Sequence, residues 1–259
     1  RFPLNFINFF INKWFPFNLS NSLVEIIHKQ NIDLNINPEN GLRTFERNIQ
    51  NLLNVRHCVA LNSGTDALTL GLHALGVRKG DEVITTSNSF IASTAVIVHL
   101  GAKPVFVDIG NDQLIDVNKI ESSISKKTKA IMPVHLYGQP CDLSALKNLC
   151  VQNKLLMIED CAEALGSKWQ GSRVGTFGDA STFSFFGNKT ISTGEGGMVL
   201  FRDEKIYLQA KILRDHGMSE DKRYWHELVG YNYRLTNLQA SVGVAQMERF
   251  EAIIEKKIK

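Results

Sequence analysis

"DEVITTSNSFIASTAVIVHLGAKPVFVDI", residues 81–109, sets two short apolar runs on either side of an apolar run of helical length. The outer runs, "DEVITT" and "KPVFVDI", are rich in β-branched residues and too short for stable helices, so they read as strands. The middle run, "FIASTAVIVHLG", ends on Gly101 and reads as a helix with a glycine stop. Strand, helix and strand in that order describe a crossover between parallel strands.

The same alternation continues in both directions. Before it come a helix, "LRTFERNIQNLLN", a strand, "CVALN", and a helix, "GTDALTLGLHALG", closed by Gly76. After it come a helix, "VNKIESSIS", a strand, "KAIMPVHL", a helix, "LSALKNLCVQN", and a strand, "LLMIED". "ASTFSF" and "GGMVLF" add two strands, followed by a helix from Glu204 to Asp215, a loop containing "RYWHELVGYNYRL", and one long helix beginning near Thr236. Short, continuously apolar strands separated by helices predict an α/β fold with a mostly parallel central sheet covered on both faces. Ligands of such sheets collect at the carboxyl ends of the strands.

With 259 residues, 44% of them apolar and 21% charged, the chain can bury a substantial core. The net charge of +3 comes from scattered lysines with only short clusters, so there is no basic stripe and no nucleic acid is expected as a partner. Cys58, Cys141, Cys150 and Cys161 lack paired C-x-x-C spacing; no metal centre or disulfide framework is expected, and a reducing cytoplasm fits. The opening "RFPLNFINFFINKWFPF" is apolar but broken by Lys13, two prolines and several asparagines, which excludes a spanning segment and leaves a packing arm or a membrane-surface contact as readings of residues 1–36. "EAIIEKKIK" stops within a helical run, from which a fragment is expected.

Chemistry is sought at the strand ends. In "NSGTDAL", Ser63, Gly64 and Thr65 stand at a helix start, where hydroxyls and free N–H groups suit a phosphate, although ordinary capping uses the same residues. "MIEDCAEALG" ends a strand on Glu159 and Asp160, with Glu163 following; these acids are either functional or part of a solvated turn, and no DxD or histidine pattern accompanies them to hold a metal. In "SFFGNKTISTGEGGMVL", residues 184–200, Lys189 stands alone between two glycine-bearing turns. A phosphate cradle, an acid and a lysine amine together match the needs of pyridoxal 5'-phosphate: a site for its phosphate, a partner for its ring nitrogen and an amine for its aldehyde.

"EDCAEALGSKWQG", "GTFGDASTFSFFGNKTISTGEGGMV" and "DHGMSEDKRYWHELVGYNYRLTNLQASVGVAQMER" resemble the DegT/StrS family of pyridoxal-phosphate-dependent nucleotide-sugar aminotransferases, in order from about Asn37 to Arg249, and within it look most like the perosamine synthases. The resemblance implies an aspartate-aminotransferase-like large domain (fold type I) over residues 37–259, a small C-terminal domain that is cut away, and transfer of an amino group from L-glutamate to a nucleotide-linked 4-keto-6-deoxy sugar. It implies Lys189 as the Schiff-base lysine and Asp160 as the acid at the ring nitrogen. Gly64, Thr65 and Ser184 match phosphate-binding positions, and Phe90 matches an aromatic residue over the ring. Glu163 stands where many members carry Gln, near the ring hydroxyl. Asn232 matches an asparagine that reaches the partner's cofactor phosphate, which implies a homodimer. His135 matches a recurrent histidine and is read as structural. Lysine at 189 argues against the branch that carries histidine there and dehydrates its substrate. A non-catalytic, cofactor-binding or dimerising remnant, and a pyridoxal-phosphate enzyme acting on a different keto sugar, carbon or substrate, are the competing readings.

Overall fold

The computed structural model describes residues 40–258, so the arm expected over residues 1–36 lies outside the described residues. The described chain runs α1 (Asn40–Leu53), β1 (His57–Leu61), α2 (Gly64–Ala74), β2 (Glu82–Thr86), α3 (Ile91–His99), β3 (Lys103–Val107), α4 (Val117–Ile120) and β4 (Thr128–Ile131). It continues with α5 (Leu143–Asn153), β5 (Leu156–Asp160), β6 (Lys168–Trp169), β7 (Ser172–Arg173), β8 (Ala180–Ser184), β9 (Gly197–Phe201), α6 (Glu204–Arg214), α7 (Asn237–Glu248) and α8 (Phe250–Ile258). Seven strands form one sheet in the order β1-β9-β8-β5-β4-β2-β3. Only β9 runs against its neighbours β1 and β8; the pairs β8–β5, β5–β4, β4–β2 and β2–β3 are parallel. Pro104 has no N–H to give a ladder and sits accordingly in the edge strand β3.

Side chains alternate across a strand, and this chain uses the alternation to fill two cores. Cys58, Ala60, Ile84, Met157, Met198 and Leu200 enter one core with Phe45 and Ile49 of α1, Leu143 and Leu146 of α5, and Phe250 of α8. Their strand neighbours Val59, Leu61, Val83, Ile158 and Val199 enter the other, with Leu68 and Leu72 of α2, Val96 and Ile97 of α3, and Leu213 of α6. Burial on both faces explains why these strands read as unbroken apolar runs. A half-buried Glu46–Arg214 pair, 3.3 Å apart, ties α1 to α6, and Glu46 also accepts the Ala60 N–H of β1 at 2.9 Å.

Four local expectations are corrected. "VNKIESSIS" is one turn of α-helix followed by a 3-10 turn over Glu121–Ser123, because the Ser122 and Ser123 hydroxyls turn back to the Lys119 carbonyl and compete with helix propagation. The strand expected across "KAIMPVHL" stops at Ile131, ahead of Pro133, and touches β5 again only at a Val134–Asp160 bridge. The long helix after Thr236 is two helices broken at Arg249, whose φ of −107° and ψ of 9° leave the helical region. A hairpin, β6–β7, lies where no strand was expected; its turn residues Gln170 (φ 48°) and Gly171 (φ 85°) are both left-handed, the geometry that matches strand twist.

Candidate active site

The alternation that splits the core also separates the two acids closing β5. Glu159 follows Met157 onto the α1/α5 face, and Asp160 follows Ile158 onto the α2/α3 face. Glu159 is fully buried and accepts the N–H groups of Gly175, Phe177 and Gly178 at 2.7–2.8 Å and the Nε2 of His135 at 3.2 Å. His135 Nδ1 accepts the Cys141 N–H at 3.1 Å, so its proton sits on Nε2 and points at Glu159. These bonds make Glu159 and His135 the anchor of the segment that follows the hairpin. His135, Glu159 and Cys161 also form a metal-sized cluster, with ligand atoms within 4.8 Å of one another. The hydrogen bonds already occupy both Glu159 oxygens, and burial holds the Cys161 thiol well above its ordinary range and so protonated.

Asp160 turns the other way, into a cavity of about 350 Å³ at the carboxyl ends of the strands. Gly64, Thr65, Phe90, Glu163, Ser184 and Lys189 line the same cavity. The Ser93 hydroxyl of α3 donates to Asp160 Oδ2 at 2.8 Å, and the Ala162 N–H to Oδ1 at 3.1 Å. Burial pushes the Asp160 carboxyl above its ordinary range, against the opposing pull of those two bonds and of the Lys189 charge. Lys189 Nζ lies 3.3 Å from Glu163 Oε1, while Glu163 Oε2 accepts the Tyr137 N–H at 2.8 Å.

The helix start beside them is built for close approach. Ser63 caps α2 through the Asp66 N–H at 3.0 Å, leaving the first N–H groups of the helix without intrahelical partners. A β-carbon on Gly64 would stand 2.8 Å from Ser184 Cβ, so only glycine lets the helix start meet the end of β8. The capping and phosphate readings of "NSGTDAL" are thus compatible: the serine does the capping while the glycine keeps the cradle open. Phe90 stands just before α3 and is 73% exposed, with a ring face free at the cavity wall.

Asn232 is not brought into this cavity. It is exposed, pairs across a bridge with Asp215, and accepts from Arg234 Nη2 at 3.2 Å. Sequence reading missed Ser93, the residue that holds Asp160. Its signal was present in "SNSFIAS", where Ser89 and Ser93 are one helical turn apart and bonded at 2.8 Å. It also missed Asn188 and Glu195, which line the cavity from the lysine loop. A second cleft of about 280 Å³, between Arg56, His57 and Arg202 at the opposite ends of the strands, contains none of the expected site residues.

The amino-acid sequence matches the DegT/DnrJ/EryC1/StrS aminotransferase family over residues 23–259. The chain belongs to that family. Among curated members it is 50% identical over 214 residues to the GDP-perosamine synthase of Vibrio cholerae, covering 82% of this chain and 58% of the relative. It is 48% identical over 219 residues to the GDP-perosamine synthase of Escherichia coli O157:H7, covering 84% of this chain and 60% of the relative. Its fold is similar to that of Bacillus subtilis NtdA, solved with bound cofactor PMP, at a TM-score of 0.82 and 31% identity, over 90% of this chain and 54% of that one. The chain therefore spans less than two thirds of the length of these family members.

Proposed function

We propose that residues 37–259 are the cofactor-binding large domain of a pyridoxal-phosphate-dependent aminotransferase that moves an amino group from L-glutamate to a nucleotide-linked 4-keto-6-deoxy sugar. The observation that carries this reading is the meeting, in one cavity, of the Lys189 amine, the buried Asp160 carboxyl and the glycine-opened start of α2. The half-identity to GDP-perosamine synthases supports the sugar class. No helix among the described residues is long and apolar enough to cross a membrane, and the four cysteines are free, both in keeping with a cytoplasmic enzyme.

The residues fit the cofactor. The N–H groups of Gly64 and Thr65 and the Ser184 hydroxyl would hold its phosphate at the positive end of α2. Asp160, steadied by Ser93 and Ala162, would hold a proton on the ring nitrogen, and the exposed face of Phe90 would cover the ring. When bound, pyridoxal phosphate supplies an electron sink for the bonds made and broken at the amine-bearing carbon. Among the described residues, Lys189 Nζ is the one amine lining the cavity; it would take a proton from that carbon and return it, with Glu163 beside it to balance its charge when the amine is free. Asn232, exposed and outside its own cavity, is assigned to the phosphate of a second copy across a homodimer.

The test is the glutamate half-reaction. The chain loaded with pyridoxal phosphate is expected to form one equivalent of 2-oxoglutarate from L-glutamate, and Lys189→Ala none. A loaded chain that leaves glutamate untouched, but turns over after addition of a different amino donor, would redirect the assignment; inertness toward every amino donor would end it.

A further inference from the structure

The motif "RLTNLQASVG", which opens α7, has no place in the cavity. Its Gln239 nevertheless reaches the segment that carries Lys189. That segment, residues 185–196 between β8 and β9, is closed at its base by Phe185 N–H to Gly196 O at 2.8 Å and Thr193 N–H to Phe185 O at 2.9 Å. Phe185 and Ile191 are buried beneath it, while residues 186–188 and 194–195 are exposed. Between the base and the tip, two side chains from outside the loop hold its backbone. Gln239 Nε2 donates to the Glu195 carbonyl at 3.0 Å, and Lys257 Nζ of α8 donates to the carbonyl of Lys189 itself at 2.9 Å.

The orientation of the Gln239 amide follows from chemistry. Its Oε1 accepts the Thr236 N–H at 3.1 Å and the Thr236 hydroxyl at 2.8 Å, completing a capping box, so the NH₂ end must face the Glu195 carbonyl. One side chain thereby starts α7 and ties down the loop. α8 is fixed in turn against the body of the domain, with Phe250 buried and Ile254 and Phe250 packed over Gly166. The two helices thus transmit the rigidity of the core to two carbonyls of a loop that is exposed at residues 186–188 and 194–195.

We propose that Gln239 and Lys257 are positioning residues for Lys189, a clamp of α7 and α8 on the lysine loop; this rests on the function proposed above. Neither side chain lines the cavity, so each acts through the backbone of the loop. Holding the Lys189 carbonyl restricts where its Cα can sit, and hence where the Nζ at the end of the chain can reach. Small displacements of a reacting group carry large penalties in rate.

The experiment separates clamping from helix capping and from plain surface solvation. Gln239→Glu keeps the capping acceptor, since glutamate is itself a capping-box residue, but removes the donor to Glu195. Lys257→Met keeps the aliphatic stem and removes the ammonium, and Lys257→Arg restores a donor. Hydrogen exchange is measured on the cofactor-free full chain, in peptides covering residues 185–196 and, as reference, residues 237–248. Loop exchange is expected to rise about fivefold in Gln239→Glu and in Lys257→Met, the factor that one net hydrogen bond confers. The reference helix should be unchanged, and Lys257→Arg should match the wild type. The dissociation constant for pyridoxal phosphate, read by fluorescence titration, should rise about three- to tenfold in the same two variants. Unchanged loop exchange in both variants overturns the clamp, as does a rise confined to the reference helix. Because the exchange readout needs no cofactor, it decides the clamp even if wild-type chain fails to bind pyridoxal phosphate at Lys189, a failure that would count against the proposed function alone.

Discussion

Replacing Asp160 by asparagine exchanges the stability of the empty chain against its affinity for the cofactor. The amide is isosteric and can keep both neighbours: its oxygen accepts from the Ala162 N–H, and its NH₂ donates to Ser93 Oγ, which passes its own proton to Ser89 Oγ 2.8 Å away. What changes is the charge. Burial raises the Asp160 carboxyl above its ordinary 3.8, so the folded chain binds this proton more tightly than the unfolded chain does. The resulting stabilisation is complete below the unfolded value and is lost as pH rises through the raised native one. Asp160→Asn removes that loss. Relief of a desolvation penalty of a few kcal/mol, less the charge assistance of two hydrogen bonds, leaves a gain of about 1–2 kcal/mol at pH 7. For a domain of this size that is a rise of roughly 2–8 °C in Tm, shrinking toward zero as the buffer approaches pH 4. In the loaded protein the sign reverses: removing one member of a buried charged pair costs about 3–5 kcal/mol, or about 10²- to 10⁴-fold in affinity for pyridoxal phosphate. The assay is thermal unfolding of the empty variant between pH 4 and pH 8 beside a fluorescence titration with the cofactor. A variant that melts lower at pH 7 and binds the cofactor as the wild type does would make Asp160 a structural group, with no part in holding the cofactor.

Three further outcomes follow from the packing. Gly64→Ala places a methyl group 2.8 Å from Ser184 Cβ and narrows the cradle, so cofactor affinity should fall at least tenfold, with a stability loss of about 1–3 kcal/mol; calorimetric titration and thermal unfolding report the two separately. Glu159→Gln replaces an acceptor of the Gly175, Phe177 and Gly178 N–H groups by an amide that can accept at one end only, and should cost about 1–3 kcal/mol in denaturant unfolding without abolishing cofactor binding by the chain that remains folded. Phe45→Ala empties the contact with Phe185, whose ring lies 4.9 Å away at the root of the lysine loop, and should cost about 3–5 kcal/mol by the same measurement.

The sheet was legible because its strands are buried on both faces and advertise themselves as short apolar runs; β1, β2, β5, β8 and β9 fall within a residue or two of where those runs lie. The errors lie where side chains compete with the backbone or where a single residue lacks a donor. Ser122 and Ser123 unmade a helix, Pro133 cut a strand, and the Gln170-Gly171 turn made a hairpin from residues with little apolar pattern. In the candidate site, the sequence displayed the residues that face the cavity from strand ends and turns. Ser93 stayed hidden because a buried serine inside a helix looks like any other small residue until its partner across the fold is known. The division of labour between Glu159 and Asp160 was legible in principle, since adjacent strand residues must face opposite ways, but which face held the cavity required the positions of α2 and α3. Gln239 and Lys257 are further still from the reach of pattern, because their partners are backbone carbonyls that any sequence supplies.

If the cofactor's aldehyde is taken up by a single amine, borohydride reduction will trap it there. The chain is incubated with pyridoxal phosphate, reduced, digested and mapped by mass spectrometry. A single phosphopyridoxyl group is expected on Lys189, lost in Lys189→Ala and strongly reduced in Asp160→Asn. Label spread over exposed lysines such as Lys205 and Lys256, with Lys189 unmodified, would contradict it.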